Sequence, residues 1–401
     1  MPPHIPKDAF ALLAKMPAIP VRGEDLYRRL KVLLNRSPRA KPLSILKYTI
    51  YIVFLLNAGS WPFVWHIRVF WPIYVAKLSY WILRFKLVFA SKKERTHTLI
   101  TWAENLSPVG ANPFELTTVY KRWATIDDID VFGMHLSNSS YAKALDSARS
   151  KAALKYFPAW SRSGGQLALG ATHYYFLREI PPLVRFEVRL TIGSWDHKWL
   201  YVVARYVTQP SRRRATHRTP HSSTPSTPND TPAQNGSAKD VEQAVAAIVQ
   251  DNNGTGRTRG VPVVESDGAI LHCVAVSQIC FKWDRLTVLP AIVLASEGFT
   301  KPHGDGDHVD SATTGTSVRS YSHTNPPPNW IKSQSLRVPP YGSMDNFRAF
   351  LRGKWREVPE GERWWEDALG GSIETRRQAN LEIVESLKVC MERTATLLGK
   401  R

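Results

Sequence analysis

The sequence has few cysteines, and they are scattered. Its 401 residues include three, Cys273, Cys280 and Cys390, and none of them belongs to a CxxC pair. An odd and sparse set argues against a disulfide framework and against a structural zinc site. We therefore predict three buried or chemically neutral thiols, no metal site and no cofactor.

Several familiar motifs are also missing. There is no GxSxG nucleophile elbow, which disfavours a serine hydrolase of that type. GxxxxGK[ST] and GxGxxG loops do not occur, so the nucleotide-binding folds that depend on them gain no support. No zinc finger, homeodomain or RNA-recognition pattern accompanies the formal net charge of +19, and nucleic acid is therefore not a predicted partner.

An apolar stretch near the N-terminus predicts a membrane anchor. It follows a basic segment, residues 1–45, and has no charged side chain from Tyr48 to Trp65. About 20 apolar residues span a bilayer, and residues 67–90 mix aromatic with cationic side chains, as membrane interfaces do. We predict a spanning and an interfacial helix within residues 46–95, single-pass membrane localisation with the endoplasmic reticulum as one candidate organelle, and membrane lipid as a partner.

The pattern that follows predicts one α+β domain over residues 110–299. After a first strand, Ser137–Tyr156 has apolar residues at helical spacing behind a capping side chain. Residues 184–192 alternate strictly between apolar and polar side chains, and residues 199–207 follow as the return strand. One long helix wrapped by a curved antiparallel sheet satisfies this order.

Three further segments interrupt or follow that domain. Residues 208–266 are rich in serine, threonine and proline and contain too few large apolar side chains to build a core. We predict a disordered insertion there, at a hairpin where insertions are tolerated. Residues 300–340 have the composition of a linker, and residues 341–401 predict a helical region.

The motif at residues 128–141 indicates a family. Its sequence, DIDVFGMHLSNSSY, resembles the DxDxxGHxNNxxY signature of hotdog acyl-thioesterases. The resemblance is strongest to the membrane-anchored thioesterase-superfamily-member-6-like group, including fungal relatives, over about residues 45–207 and 268–296. The motif departs from the signature at two points: four residues separate Asp130 from His135, one more than usual, and a serine replaces the first asparagine.

The resemblance implies a hotdog fold in which a carboxylate before the central helix acts on an acyl thioester while helix N-terminal amides polarise the carbonyl. The DxDxxG pattern makes that carboxylate Asp130; Asp128 is the alternative, and a register fixed by His135 alone leaves no catalytic carboxylate. The structural alternatives are helix capping by these carboxylates, loop ordering by the histidine and core packing by the tyrosine. The predicted catalytic residues are Asp130, Asp128 and His135, and the predicted substrate-binding residues are Ser137, Asn138 and Tyr141.

Two functions remain open from the sequence. The first is hydrolysis of an acyl thioester, on coenzyme A or a carrier protein, by a homodimer, because a lone hotdog sheet leaves an edge strand open. The second is a non-catalytic hotdog protein that binds acyl groups or partner proteins, since a fold does not fix a function. The altered spacing before His135 favours the second function, and the retained DxDxxG favours the first.

Overall fold

The computed structural model describes residues 42–209, 262–303 and 320–384. The chain divides into two compact units, residues 1–58 and 59–401. The described part of the first unit is essentially one helix, α1 (Pro42–Leu56). Most of the predicted basic N-terminal segment and most of the predicted insertion lie outside the described residues.

The described part of the second unit contains a sheet and several further α-helices. They are α2 (Val64–Lys86), α3 (Lys92–Glu104), β1 (Thr118–Trp123), α4 (Asn138–Tyr156), α5 (Pro158–Ser163), β2 (Gln166–Phe176), β3 (Arg185–Trp195), β4 (Leu200–Thr208), β5 (Ile270–Trp283), β6 (Leu286–Val288), α6 (Pro290–Ser296), α7 (Pro328–Arg337), α8 (Met344–Leu351), α9 (Trp364–Ala368) and α10 (residues 372–384). Short 3-10 helices lie at Ala58–Ser60, Ile126–Asp128, Lys354–Glu357 and Glu360–Glu362.

The predicted membrane-spanning helix does not form. α1 ends at Leu56, a 3-10 turn follows, and α2 begins at Val64, behind Phe63 with a left-handed φ of 66°. The 15 residues of α1 reach only about 22 Å, against a hydrocarbon core of about 30 Å. α2 is longer, but lysine and arginine interrupt its apolar residues. No helix of the described residues is both long and apolar enough to cross a membrane, so the predicted single-pass localisation is wrong for this part of the chain.

The predicted α+β architecture is confirmed. In the part of the chain that the structure describes, six strands form one antiparallel sheet in the order β1-β3-β4-β5-β2, and β6 pairs with β5. The small side chains of α4, including Ala144 and Ala148, are fully buried in the core against sheet residues such as Leu190. A long helix held closely against an antiparallel sheet is the arrangement that the hotdog resemblance implies. Cys273 and Cys280 are buried free thiols on β5, and the third cysteine lies outside the described residues.

The opposite face of the sheet is covered as well. All nine residues of β4 are buried, as expected for a strand with both faces packed. Val203 and Val274 form a second apolar cluster with Val384 of α10. The Asn380 amide of α10 donates to the Gly193 carbonyl at 2.7 Å, where β3 has an irregular register. The C-terminal helical region therefore begins as part of the folded unit.

The predicted disordered insertion, residues 208–266, extends too far at its C-terminal end, because residues near that end are packed. Val263 is 8% exposed and belongs to the second apolar cluster. Glu265 is 5% exposed, and its carboxylate accepts from Arg205 at 3.1 Å and from Arg189 at 2.7 Å. Ion pairs with two strands order these residues, which composition alone does not reveal.

The predicted linker, residues 300–340, contains the packed helix α7. Trp330 is 2% exposed, and the Arg337 guanidinium donates to the Glu104 carboxylate at 2.9 Å. The same guanidinium donates to the Ser296 carbonyl at 2.9 Å. α7 thereby joins α3 to α6, and its buried polar residues, Asn329, Ser333 and Arg337, hydrogen-bond to other buried groups.

Candidate active site

The sequence motif folds into a short hairpin before the central helix. Ile129 and Leu136 form an isolated antiparallel bridge, and the Asp130 amide donates to the His135 carbonyl at 2.9 Å. Gly133 sits at the tip with a φ of 72°, a conformation that glycine adopts without steric cost. The extra residue between Asp130 and His135 is thus accommodated in the hairpin tip.

The Asp130 carboxylate is held by the backbone of its own hairpin. It accepts from the amides of Met134 at 2.7 Å, His135 at 3.1 Å and Phe132 at 3.3 Å. Desolvation opposes ionisation, but hydrogen bonds from these three amides outweigh it, so the pKa of Asp130 is lowered. The carboxylate is therefore ionised at neutral pH.

Asp128 lies in a buried polar cluster instead. Its carboxylate pairs with the Arg122 guanidinium of β1 and, at 3.4 Å, with the Lys143 ammonium of α4. The hydroxyls of Ser140 and Thr125 each donate to it at 3.2 Å. Four donors from β1, the 3-10 turn and α4 converge on one side chain that is fully buried. This bonding clamps the strand to the helix start.

His135 and the two polar residues at the helix start remain near the surface. The His135 imidazole is half-buried, with Nδ1 at 3.9 Å from the Glu179 carboxylate. Ser137 is the N-cap residue, although its hydroxyl contacts neighbouring hydroxyls and not the helix amides, and Asn138 is exposed. Among the described residues, no group of three His, Cys, Asp or Glu side chains is placed to hold a metal ion.

Tyr141 is buried in the core at the start of the central helix. It is 2% exposed, and its ring packs on Phe176 and Tyr206 with centroid separations of 5.1 and 5.0 Å. Burial raises the pKa of its hydroxyl. The ring therefore packs in the aromatic core, and the substrate-binding role that the resemblance implies for Tyr141 stays a prediction.

A mainly apolar cavity of about 200 Å³ opens beside the second half of the central helix. Arg149, Ser150 and Ala153 line it from the helix side, and Leu169 and Ile279 are among the aliphatic side chains that line it from the sheet. None of the predicted site residues lines it. From Asn138 to Arg149 the helix advances roughly 16 Å along its axis, so the motif and the cavity occupy successive parts of one helix.

Arg149 marks the polar rim of that cavity. Its guanidinium donates to the Ser277 hydroxyl at 2.7 Å, to the Thr172 hydroxyl, and to the Asp146 carboxylate at 3.1 Å. Burial raises the pKa of Asp146, and the Arg149 charge opposes that shift in part. Sequence reasoning gave Arg149 no chemical role. The available signal was that Asp146, Arg149, Ser150 and Ala153 share one helix face by their spacing.

Comparison with known proteins assigns the domain that carries this site. A model of the family described as "Thioesterase-like superfamily" matches residues 122–226, which include the motif hairpin, the central helix and β2 to β4. This segment is a thioesterase-like superfamily domain. The resemblance inferred from the sequence is confirmed at the level of the superfamily.

The curated relatives of the thioesterase-like domain come from fungi. A probable thioesterase of Emericella nidulans, atnL, is 24% identical over 187 residues, 40% of this chain and 53% of the relative. Thioesterase lcsJ of Purpureocillium lilacinum is 27% identical over 184 residues, 40% of this chain and 58% of the relative. A probable thioesterase of Saccharomyces cerevisiae is 34% identical over 85 residues, 19% of this chain and 34% of the relative. The matches thus span about half the length of these relatives, or less.

Solved structures are similar to the thioesterase-like domain only at a low level. An acyl-CoA hydrolase of Staphylococcus aureus in complex with butyryl coenzyme A is 9% identical, with a TM-score of 0.25 over 42% of this chain and 67% of that one. A probable thioesterase of Escherichia coli, YbaW, is 9% identical, with a TM-score of 0.27 over 45% of this chain and 94% of that one.

Proposed function

We propose that this protein hydrolyses the thioester bond of an acyl chain, using the motif hairpin and the cavity beside the central helix. The observation that carries the proposal is the apolar cavity inside a thioesterase-like domain, since such a space accepts an acyl chain and excludes water. The fungal relatives named as thioesterases support the same reaction class.

Asp130 is the proposed catalytic carboxylate. Three backbone amides fix it on the hairpin that leads into the helix. Its lowered pKa keeps it ionised, which suits direct attack on the thioester carbonyl or orientation of the attacking water. The first-turn amides of α4 have no partner within the helix and carry its positive dipole end, so they are the proposed oxyanion donors.

The position of the cavity determines which lengths of acyl chain can reach it. The motif and the cavity rim lie roughly 16 Å apart along the helix axis. An acyl chain attached at the motif reaches the cavity only when it is long, whereas an acetyl group stays outside it. We therefore expect kcat/KM to rise with chain length until the cavity is filled.

A homodimer is part of the proposal. Strand β2 has 11 residues and, in the described sheet, pairs on one side only, with β5. Leu169 and Phe176 of this edge strand are 51% and 45% exposed. A second copy pairing along β2 would cover both the open edge and these apolar side chains.

The test is hydrolysis of a series of acyl-CoA thioesters from acetyl to long-chain by the purified full-length protein. Wild type should prefer long chains, and Asp130→Asn should lower kcat at least a hundredfold with little change in KM. The matched control is Asp127→Asn, a neighbouring carboxylate that accepts a 3.3 Å hydrogen bond from the Ser60 hydroxyl. A wild type that hydrolyses no thioester would refute the function.

A non-catalytic acyl-binding protein is the second candidate. The observation that favours it is that three backbone amides donate to the Asp130 carboxylate. Each of these hydrogen bonds leaves the carboxylate less able to accept a proton from water. Binding of a long-chain acyl-CoA without turnover, measured by calorimetry, would support this candidate.

A further inference from the structure

We propose that an exposed tryptophan–arginine pair at the end of β1 binds the nucleotide of coenzyme A. The pair is Trp123 and Arg185, which lie directly opposite each other in the β1–β3 register. The inference rests on the proposed thioesterase function, and it assigns the carrier as coenzyme A rather than a carrier protein.

The geometry leaves an aromatic surface free for stacking. Half of the Trp123 side chain, the largest type of side chain, is exposed (50%). The Arg185 guanidinium lies 5.1 Å from the centroid of the Trp123 ring. β1 is an edge strand that pairs only with β3 in the described sheet, so the ring stands at an open margin. A purine can stack on such a ring, and a guanidinium beside it strengthens the contact.

The charge around the pair favours a phosphorylated ligand. Lys121 lies two residues before the tryptophan, on the same face of β1, and its side chain is 74% exposed beside Glu187 at 3.2 Å. Glu187 is also committed to Arg189, at 2.8 Å. Arg185 has no carboxylate partner among the described residues. Its charge is therefore available to a phosphate oxygen, a strong guanidinium acceptor. The nucleotide end of coenzyme A combines an adenine with three phosphates.

The pair is close enough to the motif for one ligand to reach both. The Ala124 carbonyl accepts from the Leu183 amide at 2.8 Å, and the Leu136 amide donates to the Ile180 carbonyl at 2.9 Å. The backbone from Ile180 to Leu183, three residues further along, spans at most about 11 Å when fully extended. The extended pantetheine arm of coenzyme A is long enough to cross this gap from the nucleotide to the hairpin.

Two other roles for the pair make different predictions. A purely structural cross-strand contact would affect stability and leave substrate affinity alone. A carrier protein would meet the same cations through acidic surface residues, and removal of the indole would then matter for the carrier-bound thioester. A nucleotide platform should discriminate a coenzyme A thioester from the same acyl group on pantetheine, which lacks the nucleotide.

The experiment compares one long acyl chain on coenzyme A, on pantetheine and on a carrier protein, using the full-length protein. Trp123→Leu keeps apolar bulk and removes the ring, and Trp123→Phe restores a stacking surface. Loss of one stacked base should raise KM for acyl-CoA about fivefold to a hundredfold, with kcat and the pantetheine thioester unchanged, and Phe should recover most of the loss. Arg185→Gln should act in the same direction. Arg356→Gln, which removes a cation 5.0 Å from the Trp355 ring, is the control with unchanged KM.

Binding of adenosine 3′,5′-bisphosphate, followed by calorimetry, separates this inference from the proposed activity. Wild type should bind it and Trp123→Leu should bind it at least fivefold more weakly, even if no thioester is hydrolysed. The nucleotide platform is overturned if both proteins bind it equally, or if Trp123→Leu leaves KM for acyl-CoA at the wild-type value. A selective loss on the carrier-bound thioester would overturn it in favour of a carrier protein.

Discussion

Replacing Asp128 by asparagine should destabilise the fold more than it slows any reaction. The carboxylate is fully buried and accepts from Arg122, Lys143, Ser140 and Thr125. Asparagine retains one acceptor oxygen, but its side-chain NH2 group would replace the other oxygen and would face hydrogen-bond donors. The Arg122 charge would also lose its counter-ion. Breaking a buried ion pair from one side typically costs about 3–5 kcal/mol of unfolding free energy. Exposure of Lys143, at 39% of its side chain, places the expected loss at the lower end of that range.

The assay is chemical denaturation of wild type and variant, combined with turnover at a temperature where both are folded. Arg122→Met should also destabilise, and the double variant should lose less than the sum of the two single losses, because it removes both partners of one interaction. Asp127→Asn should change the unfolding free energy by less than about 1 kcal/mol. If Asp128→Asn unfolds like wild type while kcat falls a hundredfold, Asp128 is the catalytic carboxylate and the clamp interpretation is wrong.

The other predictions concern the cavity, a buried carboxyl group and the C-terminal helix. Ala153→Phe should fill the cavity and lower kcat/KM for long acyl-CoA more than for short acyl-CoA; equal effects on both would exclude the cavity as the acyl site. Burial raises the pKa of Glu297 from 4.5 to about 7 against the opposing charge of Arg337, so the folded state binds more protons than the unfolded state between those values. The unfolding free energy of wild type relative to Glu297→Gln should thus fall with rising pH by up to about 1.4 kcal/mol per unit from pH 5 to 7 and stay level above 7; a difference that is constant with pH would contradict the shifted pKa. Asn380→Ala should cost about 1 kcal/mol by freeing the Gly193 carbonyl, and no change in melting temperature would show that α10 docks without this bond.

The local patterns of the sequence specified most of the domain. Alternation with a period of two along β3 puts Val188 and Leu190 on the buried face of that strand. Helical spacing in α4 puts Ala144 and Ala148 on the buried face of the helix. These periods depend only on backbone geometry, which is the same in every protein. The α+β architecture was therefore accessible from the sequence, and the resemblance of the motif to the hotdog signature indicated the superfamily and the position of the motif just before the helix.

Hydropathy alone failed for the N-terminal segment. A run without charge from Tyr48 to Trp65 contains enough apolar side chains for a membrane span. The helix nevertheless stops at Leu56 and restarts at Val64, through backbone angles that no hydropathy sum registers. The ordered end of the insertion at Glu265 was missed for a related reason, because its arginine partners lie on strands far away in sequence.

The chemical character of the motif carboxylates was decided only by the tertiary structure. Asp128 and Asp130 are the same residue type two positions apart, and the sequence ranked Asp130 first only by its place in the DxDxxG pattern, without showing the surroundings of either carboxylate. β1 and α4 bring Arg122 and Lys143 onto Asp128, whereas the donors to Asp130 among the described residues are the amides of its own hairpin. The donors that reach a carboxylate determine its chemical role, and donors from distant segments of the sequence come together only when the chain folds. The sequence determined where the helix, the strands and the motif lie; folding determined which carboxylate is buried in a clamp and which stays accessible.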